Sequence, residues 1–176
     1  KRDMALGAGT ITLLLNKWIE ERFELPTASL PDLSQEGGPD AAAATIRQLW
    51  GLRGLPVKNM LHLLESRGVR VFSVANDAGE VDAFSMWHDS KPFIFLNTMK
   101  SAEHSRFDAA HELGHLFLHR HGEPQGQEAE REAHAFAAAF LMPRGSVLAN
   151  APKFATVEHL IKLKKFWTVS VAALAY

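Results

Sequence analysis

The stretch His111-Glu112-Leu113-Gly114-His115 constrains this chain more than any other. Two histidines four residues apart share a face only on a helix, where i and i+4 side chains lie one above the other. The surroundings keep that period. Phe107, Ala109 and Ala110 lead in, and Leu113, Leu116, Phe117 and Leu118 lead out. Two imidazoles on one face can hold one zinc ion. Glu112 flanks the pair, where a carboxylate can take a proton from a water at that ion. Gly114 is unfavourable in a helix by about 1 kcal/mol relative to Ala. A residue that small admits another backbone or side chain close to the metal side. The pattern points to a zinc metallopeptidase.

Catalytic zinc takes three protein ligands and keeps an open position. The segment from Glu128 to Pro143 is the source expected for the third. It is rich in helix formers, and Ala133, Phe136, Ala137, Phe140 and Leu141 trace one apolar stripe that Pro143 ends. Glu130 fits the third ligand, with Glu132 in reserve. Glu128 and Glu132 also read as solvated first-turn acids favoured by the helix dipole. His134, four residues after Glu130, is read as a donor that orients a ligand.

These residues carry a family resemblance. The run from Arg106 to His119 resembles the active helix of the ImmA/IrrE-type metallopeptidases, and Glu130 to Ala137 with Leu141-Met142-Pro143 resembles that family's second motif. Gly68 to Phe72, Val81 to Ser85 and Pro92 to Asn97 are similar to its strand segments, so the likeness runs over roughly residues 40–176. The resemblance implies a gluzincin-like site with His111, His115 and Glu130 on zinc and Glu112 as general base. His134 stands where the family has Asn. It can replace that residue as a hydrogen-bond partner, or as a fourth nitrogen it can close the open position.

Composition bounds the rest. The chain has 176 residues, 47% of them hydrophobic, enough for one real core. A formal net charge of −1 leaves no electrostatic footprint for nucleic acid or an anionic membrane. The absence of cysteine excludes disulfides within the segment and fits a cytoplasmic location. No apolar run reaches the roughly 20 residues needed to span a bilayer. The chain begins at Lys1 and ends at Tyr176 within an apolar helical pattern, as expected for a piece of a longer protein.

The expected architecture is α+β: a zincin-like domain with a small three-stranded, mainly antiparallel sheet and several helices, one carrying the metal motif. Residues 1–39 read as an N-terminal helix, with Ile11, Leu14, Leu15, Trp18 and Ile19 in period, followed by a Pro- and Gly-containing loop or tether. Residues 40–176 read as the metallopeptidase domain, its C-terminal helical part cut at 176. Asp40 is expected to cap a helix through Trp50. Pro56 suits the first turn of a second helix ended by Gly68, with Met60, Leu61, Leu63 and Leu64 in the core. Strands are expected at Val69 to Phe72, Val81 to Trp87 and Pro92 to Asn97, joined as a meander by turns at Asn76-Asp77-Ala78-Gly79 and His88-Asp89-Ser90-Lys91. Ser101 is a capping residue for the metal helix. Leu160 to Tyr176 reads as two short helices packed on the core rather than a helix-turn-helix reader, since three lysines make too little phosphate footprint.

An oxyanion helper is usual in such a site. His119 is the first candidate, four residues beyond His115, with His121 and His104 behind it. Its position near a helix C-terminus also suits a plain dipole contact. Asp108 can steady a ligand or stand solvated. Trp87 and Phe93 can line a groove, although strand aromatics are more often core. The expected function is a zinc endopeptidase, regulatory and site-specific, cutting a partner protein such as a DNA-binding repressor. Manganese or iron can also occupy a His₂Glu site. The alternative is a non-catalytic metal-binding sensor or interaction module of a transcriptional regulator. Neither direct nucleic-acid binding nor a membrane is expected for this segment.

Overall fold

The computed structural model describes residues 2–74, 83–97, 99–122, 124–152 and 156–175, with side chains described from Thr10 to Leu174 within those ranges except at position 74. The element order is α1 (Arg2–Glu20), α2 (Pro39–Leu49), α3 (Met60–Ser66), β1 (Arg70–Val74), β2 (Ala83–His88), β3 (Lys91–Asn97), α4 (Ala102–Leu118), α5 (Gln127–Leu141), α6 (Arg144–Asn150), α7 (Val157–Trp167) and α8 (Val171–Ala175). This is the expected α+β class. The turn expected at Asn76-Asp77-Ala78-Gly79, and Val81 and Asp82 of the second strand, lie outside the described residues.

The sheet is not a meander. Its strand order is β1-β3-β2, with β1 parallel to β3 and β2 antiparallel to it. The reason lies in β3. Its unbroken apolar run Phe93-Ile94-Phe95-Leu96 is buried throughout, and a strand apolar on both faces belongs in the middle. Asp89 and Ser90, both at positive φ (47° and 60°), close a two-residue hairpin that lays β2 against one edge of β3. β1 therefore takes the other edge. One sheet face is a phenylalanine layer, in which Phe84 stacks on Phe95 at 4.2 Å and Phe72 lies beside Phe93 and Phe95. Phe93 is thus core, not groove. Ile94 and Leu96 belong to the main core, which also contains the α4 and α5 residues Leu113, Phe117, Phe136 and Phe140.

Local chemistry sets the helix ends. Pro39 occupies the first turn of α2, one residue before the expected cap. Asn59, not Pro56, starts α3, because its side chain accepts from the His62 N–H at 3.1 Å. On that short helix Met60 and Leu64 face inward while Leu61 is 41% exposed. Ser101 caps α4 as expected, accepting from the His104 N–H. The chain around residues 25–38 is pinned to the core. Leu30 and Leu33 are buried, and the Leu33 N–H donates to the Phe117 carbonyl. Trp167 and Val169 are buried in the same core, and Lys164 on α7 reaches Glu103 on α4 at 2.8 Å. The α7–α8 segment therefore packs on the domain. The apolar stripe of α1 is largely exposed at Ile11 and Leu14. Among the described residues no helix is long and apolar enough to cross a membrane.

Candidate metal centre

Helix α4 passes through the core as a mostly buried element, with Ala109, Ala110, Leu113, Leu116 and Phe117 packed inward. Its remaining strip carries His111 and His115 toward α5. The two helices meet at Gly114, where an added Cβ would stand 3.1 Å from the Ala133 Cα and from the Phe136 ring. That close approach brings Glu130, on the first turn of α5, over the histidine pair. His111 Nε2 lies 3.1 Å from Glu130 Oε2 and 3.1 Å from His115 Nε2, and His115 Nε2 lies 3.5 Å from Glu130 Oε1. One donor atom from each of the three falls within 4.8 Å of the others.

The donor set fits a divalent ion. Ligand imidazoles must be neutral, and burial lowers both histidines: His111 falls below its ordinary value, and His115 falls to about 4, helped by neighbouring His111. Glu130 stays exposed, so the ion position keeps an open side. Two nitrogens and one carboxylate oxygen are the ligand types of a three-ligand zinc site.

Glu112 lies on the other flank of α4 and is 7% exposed. Burial pushes its carboxyl up to about 7. The hydrogen bond from Ser85 opposes that rise, while Glu130 and Asp108 add to it. Ser85 on β2 donates to Glu112 Oε2 at 2.6 Å. Sequence reasoning passed over Ser85; a lone serine in a strand signals nothing until the strand's neighbour is known. Glu112, Ser85 and His115 open into a cleft of about 550 Å³ between β2 and α4. Trp87 lines the same cleft, its indole N–H donating to the Leu116 carbonyl at 3.3 Å and its ring covered by Arg120 at 4.1 Å. Trp87 therefore serves groove and packing together.

The remaining histidines separate. His119 is engaged at both ring nitrogens: Nδ1 lies 2.9 Å from His115 Nδ1, and Nε2 lies 3.1 Å from Glu132 Oε2. The same ring lines the cleft beside Glu112 and His115, and its two contacts tie it to His115 and to α5. Glu132 pairs with His119 and lies outside the cluster of His111, His115 and Glu130. His121 pairs with Asp32 at 2.6 Å, and His104 contacts its own cap residue Ser101 at 3.0 Å. His134 is exposed, its ring 4.8 Å from Phe107 and 6.3 Å from His111, outside the donor cluster. Asp108 pairs with Lys100 at 3.3 Å.

A family model described as Peptidase_M78, the IrrE N-terminal-like domain, matches residues 64–176. No curated protein matches the chain. Among solved structures, a Mycobacterium tuberculosis transcriptional regulator is similar, with a TM-score of 0.54 and 20% identity over 77% of this chain. The match takes in 44% of that regulator's length. At that identity the likeness is one of fold.

Proposed function

We propose, because the chain belongs to the IrrE N-terminal-like domain family, that it is a zinc-dependent endopeptidase with His111, His115 and Glu130 as metal ligands and Glu112 as general base. One observation supports this reading above the rest: a buried carboxylate, raised to about 7, beside the three-ligand cluster and facing the same cleft. A structural metal site has no use for such an acid. When bound, the ion supplies Lewis acidity toward water and a peptide carbonyl; manganese or iron can supply the same.

The chain's own groups do the rest. A carboxyl that titrates near neutrality can accept a proton from water and return it to a leaving amine. Ser85 holds one oxygen of Glu112, leaving the other for that transfer. β2 is an edge strand beside the cleft, so an extended peptide can add to it through main-chain hydrogen bonds. The substrate is then a partner protein cut at one place, with a DNA-binding transcriptional repressor as the target that the family likeness suggests. The location is cytoplasmic, in keeping with a chain free of cysteine.

A second reading, a metal-binding sensor within a transcriptional regulator, draws on the fold likeness to the M. tuberculosis regulator. The two part in one experiment. Metal content is measured by mass spectrometry on protein purified without added metal, with His115→Ala as control, and cleavage of a peptide library is followed with Glu112→Gln as control. About one zinc per chain, lost in His115→Ala, with cleavage that Glu112→Gln abolishes while keeping zinc, supports the peptidase. Zinc with no cleavage moves the conclusion to the sensor. No zinc defeats both.

A further inference from the structure

We infer that Glu132, His119 and His115 form a relay that fixes the tautomer of His115, with Glu132 and His119 as positioning residues for the metal. The inference rests on the reading of His115 as a ligand. The geometry is a chain of three groups. Glu132 Oε2 lies 3.1 Å from His119 Nε2, and His119 Nδ1 lies 2.9 Å from His115 Nδ1. The other nitrogen of His115, Nε2, is the one that faces His111 and Glu130.

The proton positions follow from what each group can do. A carboxylate only accepts, so His119 donates to it through Nε2–H. In the proposed arrangement the second nitrogen of His119, Nδ1, is bare and accepts. His115 must therefore carry its proton on Nδ1, and its Nε2 lone pair points into the cluster. Ligand histidines commonly donate their second nitrogen to a carboxylate, which fixes the ring and raises its basicity. Here a second imidazole is interposed, and Glu132 acts through it. Burial supports the arrangement: the His119 side chain is 7% exposed, so few waters can substitute for either partner. The fold explains the spacing. His115 and His119 are one turn apart on α4, and the contact at Gly114 sets α5 close enough for Glu132 to reach across.

The opposite arrangement is definite and observable. With His119 donating through both nitrogens, His115 would carry its proton on Nε2, where it would block the metal position. Long-range proton–nitrogen spectra of the metal-free protein distinguish the two. The relay requires Nδ1–H on His115 and Nε2–H on His119, and an Nε2–H on His115 overturns it. His119→Phe keeps the ring and removes both nitrogens. It should shift His115 toward Nε2–H and weaken Zn²⁺ binding, measured against a chromophoric chelator, by roughly 10- to 100-fold. His119→Gln, whose amide oxygen can accept from Nδ1–H, should recover part of that loss. Glu132→Ala should weaken zinc in the wild-type background and much less in His119→Phe. Wild-type zinc affinity in His119→Phe overturns the relay, and so does an equal effect of Glu132→Ala in both backgrounds. Should His119→Phe fail to fold, Glu132→Ala at its partly exposed site gives the same spectral and affinity readings. A wild-type chain that takes up no zinc would defeat the peptidase reading, while the spectrum of the metal-free protein still decides the tautomer.

Discussion

Gly114 on α4 lies directly beneath Ala133 on α5, so close that a Cβ at position 114 would stand 3.1 Å from the Ala133 Cα. This contact sets the helix spacing that holds Glu130 over His111 and His115. A bulky residue must push the helices apart. Gly114→Val is expected to destabilise the domain by about 1–3 kcal/mol, the usual cost of overpacking, and to weaken metal binding with it. Urea denaturation checks the first effect and zinc titration the second. An unchanged metal affinity at reduced stability would show that the ligand geometry does not depend on this contact.

Ser85 supplies a hydrogen bond to Glu112 from a different element, the edge strand β2. Removing it frees the carboxylate to rotate without touching a metal ligand. Ser85→Ala should keep its zinc and lose roughly 10- to 100-fold in kcat, since a hydrogen bond to a charged group contributes about 1.5–3 kcal/mol and 1.36 kcal/mol is a factor of ten. Metal analysis with steady-state kinetics reads both. A variant that loses zinc instead would place Ser85 in the support of the ligands.

Arg47 is 3% exposed and donates to three carbonyls, those of Arg53, Leu55 and Phe140. Burial pulls its guanidinium down to about 10, still well above neutrality, so it remains charged. It joins the end of α5 to the loop after α2. Arg47→Ala removes the donor to all three carbonyls and should cost about 3 kcal/mol by thermal or urea unfolding. Arg47→Lys should rescue little, because one ammonium cannot span the fork. Full rescue by Lys would mean that charge alone suffices.

Glu20 on α1 accepts from Lys91 at 2.7 Å and from Arg70 at 3.3 Å. Lys91 leads in holding its carboxyl below the ordinary value of 4.5, against an opposing effect of burial, with Asn16 and Arg70 assisting. A depressed folded value stabilises the fold above the unfolded value and loses that contribution as pH falls through the depressed one. The stability gap between wild type and Glu20→Gln should therefore be about 1 kcal/mol at pH 7 and close below about pH 4.5. Urea midpoints at pH 7 and pH 3 test this. A gap that persists at pH 3 would assign the effect to packing.

Much of the local structure was legible because it depends on neighbours in sequence. The i, i+4 spacing of His111 and His115, the apolar lead-in and lead-out of α4, the Ser101 cap and the hairpin at Asp89 and Ser90 each answer to a few consecutive residues. The α5 stripe likewise placed Glu130 on a helix that could face the pair. Where two local signals compete, neighbours in sequence do not decide between them. Pro56 looked like a helix start, but only Asn59 has a side chain that can accept from His62. Leu61 looked like core because every leucine nearby did, and on a helix this short only one face is covered.

What the sequence alone determined was therefore the chemistry on offer: a helix with two imidazoles and a carboxylate, and a second helix bearing acids. The partners were decided by the tertiary structure. The parallel pairing of β1 with β3 depended on which strand is apolar on both faces. That Glu130 stands by His111 and His115 while Glu132 stands by His119 depended on how α5 crosses α4 at Gly114. The contact of His119 with Glu132, and the hold of Ser85 on Glu112, arise between residues 13 and 27 positions apart. Periodicity reports which face a side chain occupies, but hydrogen bonds form at about 3 Å, and only the packing of one element on another brings such groups within that distance.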